Sequence, residues 1–280
     1  MTESRFDVSR YALALTAAVV CSTTLAAQWP PHPTPGVPRN ADGTPNLEAP
    51  APTTADGKLD LTGTWENAWF HRGRIAQPPV SAPGEPPAST FFNIGAGFKD
   101  GLPLQPWAAA LLKERSEWNS KDNPDAHCLP MGLMQFHEHP QPRKIIQTPS
   151  LVVILYEGNA GVRQIFTDGR SLPDNDPQPW WFGYSVGKWE GDTLVVETSS
   201  FRDDGWLDIR GSPLTDAAKM TERFRRLNYG TLQIDVTIDD PKAYTRPFSV
   251  RVNQRIVLDG ELIEFVCNEN NKSLEHLVGK

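Results

Sequence analysis

The stretch Leu232–Ile238 reads LQIDVTI and lies between Tyr229-Gly230 and Asp239-Asp240. It alternates apolar and polar residues without a break. Because successive side chains on a β-strand point to opposite faces, this pattern predicts a strand with one buried and one polar face. Residues 192–199 (DTLVVETS) show the same alternation. Two such strands in the second half of the chain indicate a sheet that buries one face.

Short apolar runs separated by turn signals, such as Asp168-Gly169 and Asp259-Gly260, extend this pattern along the chain. Strands are predicted at residues 61–66, 144–148, 150–157, 162–168, 181–188, 192–199, 219–227, 231–238, 248–258 and 261–267. Consecutive hairpins without intervening helices favour an antiparallel meander, and this many strands can close and so remove exposed edges. We therefore predict a mainly β fold, an antiparallel meander that closes into a lipocalin-like barrel. A two-sheet sandwich is the alternative.

A helix and a proline-rich arm complete the predicted organisation. The helix spans about 106–118, because Pro106 suits a first helical position and Ala, Leu, Lys and Glu follow it. Residues 29–106 contain 15 of the 26 prolines, which indicates extended segments. Two similar tripeptides, Ala41-Asp42-Gly43 and Ala55-Asp56-Gly57, predict two turns in an arm laid along the domain, with plain disorder as the alternative. We predict an arm at 28–60 and a barrel domain with a helical insertion at 61–280.

Residues 1–27 have the pattern of a secretory signal peptide. Arg5 and Arg10 form a basic start, a short apolar run covers Tyr11–Val20, and small residues follow through Ala27. The run is shorter than the roughly 20 residues that a membrane span needs. A membrane anchor, or a lipoprotein modified at Cys21, is the alternative. We expect a periplasmic or secreted protein.

Charge and cysteines narrow the possible partners. The net charge is −7 and no run of basic residues occurs, which argues against a nucleic-acid partner. Beyond residue 27 no apolar stretch is long enough to span a membrane. Cys128 and Cys267 remain after removal of the signal, and in an oxidising compartment they are expected to form a disulfide bond. Two buried free thiols or a metal site are the alternatives.

Specific stretches of the chain resemble known families. The segment Leu61–Trp65 (LTGTW) resembles the Gly-x-Trp first strand of lipocalin-like barrels, in which the Trp closes the barrel floor. The chain from Gln28 to Lys280 also resembles an uncharacterised family of exported bacterial proteins with a lipocalin-like (calycin-type) barrel. The stretches that carry this second resemblance are 126–130 (AHCLP), 183–187 (GYSVG), 189–193 (WEGDT), 206–208 (WLD), 221–224 (TERF), 239–241 (DDP) and 266–270 (VCNEN).

This resemblance implies export and a barrel, and it brings no assigned chemistry. The chain departs from the family at one point. Relatives carry a His after the Trp-Leu-Asp segment, where this chain has Ser212 and Leu214 nearby. If that His is catalytic in the relatives, this chain lacks it.

Four residues are candidates for acid–base chemistry: His127, Asp208, Glu222 and Glu269. If Cys128 pairs with Cys267, His127 and Glu269 come into one neighbourhood, which is a plausible acid–base pair. The alternative is that they are hydrogen-bonding residues that fix a strand end.

Glu222 shares a strand face with Met220 and Phe224, and a buried carboxyl there would have a raised pKa and serve as a general acid. It would otherwise pair with Arg251 or Arg255, because buried charges are usually paired.

Aromatic residues are candidates for a ligand-binding surface. Trp180, Trp181 and Tyr184 follow a proline-rich turn and would wall an apolar cavity, or else belong to the core. Trp206 and Arg210, with the candidate catalytic residue Asp208, would line a pocket entrance at the barrel mouth, or else form a surface loop anchored by its Trp.

His137-Glu138-His139 resembles metal-ligand spacing on a strand, where alternate side chains share a face. A zinc site needs a third and fourth ligand, which no spacing supplies, so we predict no metal. The sequence also lacks a Gly-x-Ser-x-Gly elbow, a phosphate-binding loop and a dinucleotide fingerprint. We expect no bound cofactor.

Two functions fit these features. The first is a barrel that binds a small, largely apolar or aromatic ligand. The second is a cofactor-independent acid–base enzyme, a hydrolase, lyase or isomerase/cyclase, that acts on a small hydrophobic substrate in the barrel. A structural role, in which the arm clasps a partner, is a third possibility.

Overall fold

A computed structural model describes residues 32–71, 74–75, 81–173, 178–267 and 269. The predicted signal peptide at 1–27 lies outside the described residues. The strands are β1 Gly63–Asn67, β2 Phe70–His71, β3 Arg74–Ile75, β4 Arg143–Gln147, β5 Leu151–Tyr156, β6 Val162–Phe166, β7 Tyr184–Glu190, β8 Thr193–Ser199, β9 Gly205–Trp206, β10 Pro213–Leu214, β11 Lys219–Arg226, β12 Thr231–Asp239 and β13 Phe248–Ile256. The helices are α1 Pro106–Glu117 and α2 Leu133–Glu138, and Pro124–His127 and Gly158–Ala160 form 3₁₀ turns.

Nine strands form a closed barrel in the order β1-β13-β12-β11-β8-β7-β6-β5-β4, and β4 returns to β1. The neighbours are antiparallel except β6 and β7, which pair in parallel through Ile165–Ser185 and Phe166–Val186. The predicted mainly β barrel is therefore confirmed, and the sandwich alternative is excluded.

The alternation in β12 behaves as the sequence predicts. Leu232, Ile234, Val236 and Ile238 are buried and pack toward the barrel interior. On the outer face, Asp235 accepts hydrogen bonds from Arg251 of β13, with 2.6 Å between Arg251 Nε and Asp235 Oδ1. The apolar face of this strand is thus fixed toward the core, since a slip of one residue would turn its polar face inward.

The arm joins one end of the barrel, here called the arm end. Its two predicted turns are present, and Gly43 and Gly57 have φ of +83° and +77°, in the left-handed region that favours glycine. The amides of Tyr229 and Gly230, in the β11–β12 turn, donate to arm carbonyls at Ala49 and Leu47, each at 2.8 Å. The arm is therefore hydrogen-bonded to a barrel hairpin.

Trp65 closes the barrel at this arm end. Its side chain is fully buried, and its Nε1 donates to the Leu61 carbonyl at 3.0 Å. The Arg226 guanidinium lies 4.9 Å from the Trp65 ring centroid and donates to the carbonyls of Asp60 and Tyr229. The cation is thus placed over an aromatic ring, an attractive arrangement, while backbone carbonyls satisfy its donors.

Helix α2 covers the opposite end, here called the helix end. Leu133, Met134 and Phe136 are each at most 1% exposed, and His137 and Glu138 are equally buried. This helix corrects the prediction of a strand at His137–His139. A helix buried on every side shows no amphipathic pattern, and Pro140 stops it by disfavouring helical backbone at the residue before it.

The cysteine pair lies beside this covered end. Cys128 precedes α2, and its Cα is 5.5 Å from the Cα of Cys267, with the sulfurs at disulfide distance. The segment 261–267 is not a strand, which corrects a second prediction; it runs past the end of β5, where the Ile263 amide donates to Glu157. No helix in the described ranges is long and apolar enough to cross a membrane.

We expect Trp65→Ala to lower the free energy of unfolding by about 3–5 kcal/mol, because it removes a buried indole and leaves a cavity under Arg226. Urea unfolding followed by circular dichroism measures this change. Trp118→Ala is the matched control, since that indole is 59% exposed and its loss should cost less than about 1 kcal/mol. Equal destabilisation by both variants would contradict a closing role for Trp65.

Candidate functional site

A carboxylate lies inside the barrel. The alternation of β11 directs Met220, Glu222 and Phe224 inward, and Glu222 is fully buried. An isolated ionised carboxylate in such a place would be strongly disfavoured. The side chains around Glu222 therefore determine whether its carboxyl is ionised.

Arg163 on β6 provides the opposite charge. Its Nη1 donates to Glu222 Oε1 at 2.9 Å, and its Nη2 donates to Glu222 Oε2. The same guanidinium donates to Ser185 of β7 at 3.1 Å and to Thr198 of β8 at 3.0 Å. A two-pronged Arg–carboxylate pair is among the stronger hydrogen-bonded arrangements in proteins. It links four neighbouring strands across the interior.

His137 approaches the same carboxylate from the helix that covers the barrel. Its Nε2 lies 2.6 Å from Glu222 Oε1, and its ring is 5.9 Å from the ring of Phe224. The covering helix is thus hydrogen-bonded to the barrel wall through one buried contact.

The protonation states follow from burial and charge. Burial alone would raise the pKa of Glu222, but the charge and hydrogen bonds of Arg163 outweigh it and hold that pKa well below its usual range. Burial lowers the pKa of His137, and the charge of Arg163 acts in the same direction, against the opposite effect of Glu222. At neutral pH a neutral His137 therefore donates its Nε2 proton to an ionised Glu222.

The contact between His137 and Glu222 leaves one imidazole nitrogen available as a base. A carboxylate that accepts one imidazole proton fixes the tautomer, and the other ring nitrogen, Nδ1, is then the basic atom. Tyr156 lies nearby, and burial raises its pKa to about 12, against the lowering effect of Arg163. Its hydroxyl is buried and makes no hydrogen bond within the described part of the chain. The interior thus combines a base, a carboxylate and a phenol.

The outer face of the barrel carries a separate feature. Tyr184 stacks on Phe166 with ring centroids 5.3 Å apart, and Trp180 lies 6.3 Å from Tyr184. Arg170 sits 3.8 Å from the Phe166 centroid and donates to Tyr184 Oη at 3.0 Å. These four residues are called the aromatic ledge below.

A cleft of about 590 Å³ adjoins the aromatic ledge. Its walls are the segment 167–172, the outer faces of β7 and β8, and Lys58 of the arm. Leu172, Val186 and Trp189 give it apolar surface. Charged side chains of both signs also line it: Arg170, Lys188, Glu190 and Glu197. The cleft lies on the outer face because Ser185, next to Val186 in β7, faces the interior network.

The candidate catalytic residues lie in different places. His127 is exposed and its Nε2 is 2.9 Å from the Lys121 carbonyl, while Glu269 is exposed beyond Cys267. Asp208 is buried in a loop, where it accepts hydrogen bonds from the amides of Ile94, Gly211 and Ser212. Glu222 lies in the barrel. None of the hydrogen bonds described links these four side chains to one another.

The candidate ligand-binding residues fall into two groups. Trp180, which is 48% exposed, lies 6.3 Å from Tyr184, measured between ring centroids. Trp181 contacts a different side chain, Arg202, whose guanidinium lies 4.5 Å from its ring. Trp206 is buried under Arg115, which lies 4.2 Å from its ring. Arg210 is exposed beside α1, where its carbonyl accepts a hydrogen bond from Ser116.

Two members of the interior network were not identified from the sequence. The alternation along the strand Val162–Phe166 places Arg163 on the inner face of the barrel, and a single Arg on an inner face indicates a buried ion pair. For His137, the sequence pattern suggests only a metal ligand on a strand. In the ranges that the structure describes, no three His, Cys, Asp or Glu side chains are grouped to hold a metal ion.

Comparison of the chain with protein-family models, with curated proteins and with solved structures found no match.

We expect the free energy of unfolding to fall between pH 7 and pH 5. Burial, aided by the charge of Arg143, lowers the pKa of His139 to about 4. A histidine that stays neutral in the folded protein but gains a proton when unfolded loses stability as pH falls below its unfolded pKa of about 6.5. His139 alone should contribute about 2 kcal/mol of this loss, and His137 acts in the same direction.

Urea unfolding at the two pH values measures the loss. In His139→Gln the loss should be smaller by about 2 kcal/mol. His127→Gln serves as the control, because its exposed side chain is solvated in both states. A loss that is the same in His139→Gln and in the unmodified protein would rule out a neutral, buried His139.

Proposed function

We propose that this chain is an exported, lipocalin-like barrel protein that binds a small, largely apolar or aromatic ligand. The cysteine pair at disulfide distance supports export, since such pairs persist in oxidising compartments. Trp65 at the arm end supports the lipocalin-like assignment and the resemblance to the exported bacterial family, because it occupies the floor position that Leu61–Trp65 predicts.

The ligand would bind in the cleft beside the aromatic ledge. The observation that carries this proposal is that the aromatic ledge, with its partly exposed rings, adjoins a cleft of about 590 Å³ through Arg170, which lines that cleft. This volume lies within the usual range for small-molecule sites. Trp180 and Tyr184, which belong to the ledge, remain the proposed aromatic contacts, whereas Trp181 lies under Arg202. Trp206, Arg210 and Glu222 lie elsewhere, so they have no direct part in this version of the site.

The outer face is a better location than the barrel interior for three reasons. The ion pair of Arg163 and Glu222 crosses the interior, α2 covers one end, and Trp65 closes the other. An apolar ligand placed there would have to displace a satisfied ion pair, which is unfavourable. Binding in the cleft does not require the ion pair of Arg163 and Glu222 to be displaced.

The charged groups at the cleft suggest the form of the ligand. Its lining includes Lys58, Arg170 and Lys188 together with Glu190 and Glu197. Arg170 is already paired with Asp168 at 2.6 Å and Glu190 with Arg223 at 3.2 Å, so Lys188 is the cation considered for the ligand. An aromatic ligand with one acidic group would place its ring against the aromatic ledge and its negative charge near Lys188. Naphthalene-2-carboxylate has this form and is used as the probe.

We expect Trp180→Ala to weaken binding of naphthalene-2-carboxylate about tenfold, because truncating an aromatic contact in a ligand site commonly costs more than about 1 kcal/mol. Isothermal titration calorimetry measures the dissociation constant. Trp107→Ala is the matched control, since Trp107 is 47% exposed but lies on α1. Equal affinities of the two variants, or no binding to the unmodified protein, would argue against the cleft.

A cofactor-independent acid–base enzyme is the second candidate. The contact between His137 Nε2 and Glu222 Oε1 favours it, because a carboxylate-oriented imidazole is the arrangement of many general bases. In this case a small hydrophobic substrate would bind in the barrel, with its acidic proton facing His137 Nδ1. Asp208, His127 and Glu269 remain sequence-based candidates for further roles.

Two chromogenic substrates test this candidate: 5-nitrobenzisoxazole, whose ring opens when a base removes a proton, and p-nitrophenyl butyrate. We expect His137→Gln to lower turnover by at least 100-fold, which is the usual contribution of a general base. Near-UV circular dichroism of the variant shows whether the barrel is intact.

A parallel His127→Gln variant distinguishes the two histidines. Loss of turnover in this variant, with His137→Gln still active, would move the chemistry to the disulfide region. Absence of turnover in the unmodified protein, on both substrates, would count against the enzyme candidate.

A further inference from the structure

A second buried carboxyl lies at the rim of the barrel, outside the network of Glu222. Glu138 is the last residue of α2 and is 1% exposed. Its Oε2 accepts hydrogen bonds from Trp69 Nε1 at 2.7 Å and from Asn67 Nδ2 at 2.6 Å. Glu138 therefore faces β1 and the chain after it, whereas His137 faces the barrel interior.

The other oxygen of this carboxyl has no hydrogen-bond partner among the described residues. Glu138 Oε1 is buried and unpaired there, and so are the Ser89 hydroxyl and Gln254 Oε1. Buried polar groups are paired in the great majority of cases, so an unpaired oxygen on a carboxyl that is 1% exposed needs an explanation. A bound polar group would supply the missing partners.

Among the described residues, no Lys or Arg side chain forms an ion pair with this carboxyl. The charge of Arg143 acts on it, but that guanidinium donates to three backbone carbonyls, at His137, His139 and Gln141. The pKa of Glu138 is raised by burial, and the hydrogen bonds of Trp69 and Asn67, with smaller contributions from the Ser89 hydroxyl and the charge of Arg143, only partly offset this effect. The carboxyl is thus placed to gain more from a cationic group than Glu222, which already has Arg163.

Aromatic rings surround the same position. Trp69 lies 6.4 Å from Phe92, Phe92 lies 5.5 Å from Phe91, and Phe91 lies 5.0 Å from His139, measured between ring centroids. Trp69 and Phe91 are buried, while Phe92 is 51% exposed. The aromatic group therefore reaches from the buried carboxyl to solvent.

We propose that Glu138 and the rings of Trp69, Phe91 and Phe92 form a binding site for a small organic ammonium ion. Aromatic faces attract a cation, and the attraction grows when water is excluded. The carboxylate supplies the counter-charge, and the Ser89 hydroxyl and Gln254 Oε1 supply further polar contacts. This site shares no residue with the cleft of the proposed function, so the two can be tested separately.

Calorimetric titration with benzylammonium, and with benzyl alcohol as the neutral isostere, tests the proposal. We expect the full chain to bind benzylammonium at least tenfold more tightly than benzyl alcohol. Glu138→Gln should weaken benzylammonium at least tenfold, because Gln keeps acceptors for Trp69 and Asn67 but loses the charge. Phe92→Ala should weaken it about threefold, as expected for a partly exposed cation–aromatic contact.

Two matched controls exclude general destabilisation. Glu157→Gln changes another buried carboxyl, whose Oε2 accepts from the Ile263 amide at 3.0 Å, and Phe265→Ala removes a partly exposed ring elsewhere. Both should leave the dissociation constant within twofold. Equal affinity for the two ligands, unchanged binding in Glu138→Gln and Phe92→Ala, or an equal loss in Glu157→Gln would each overturn the proposal.

Discussion

The ion pair between Glu222 and Arg163 is the interaction on which the barrel interior depends. Both side chains are away from water, so each is tolerable only in the presence of the other. Removing one partner from such a pair commonly costs about 3–5 kcal/mol, because an uncompensated charge remains. Since Arg163 also holds Ser185 and Thr198, the pair fixes β6, β7, β8 and β11 relative to one another. This matters most at β6 and β7, whose parallel contact involves two residue pairs.

The same carboxylate also determines how the barrel is covered. His137 brings α2 onto Glu222, and the apolar side chains of that helix then cover the helix end. At the other end Trp65 and Arg226 close the floor, and the arm hydrogen-bonds to the adjacent hairpin. The cysteine pair joins the segment before α2 to the chain after β13. In a barrel closed in this way, the polar and aromatic side chains that a ligand can reach lie at the rim and on the outer face.

The charged side chains of the barrel lie in three different environments: the interior, the rim and the outer face. In the interior Glu222 is ionised because Arg163 compensates its charge. At the rim Glu138 has no ion-pair partner in the described part of the chain, since the guanidinium of Arg143 donates to backbone carbonyls. On the outer face Arg170 is exposed beside aromatic rings and a cleft. The proposed apolar-ligand cleft and the proposed ammonium site follow from this separation.

The sequence alone determined the strands of the barrel, the helix at Pro106 and the cysteine pair. Period-two alternation, turn residues and an even cysteine count are local signals, and each can be read without knowing the neighbours. It also identified Glu222 as an inward carboxyl, because that depends only on the alternation of β11. Tertiary structure decided its partner: the predicted candidates Arg251 and Arg255 pair with Asp235 and Glu66 on the outer face, while Arg163 reaches Glu222 across the interior. The short helix α2 escaped prediction because burial on all sides removes the amphipathic signal, and the contact of His137 with Glu222 joins residues 85 positions apart, a distance that only barrel closure brings together.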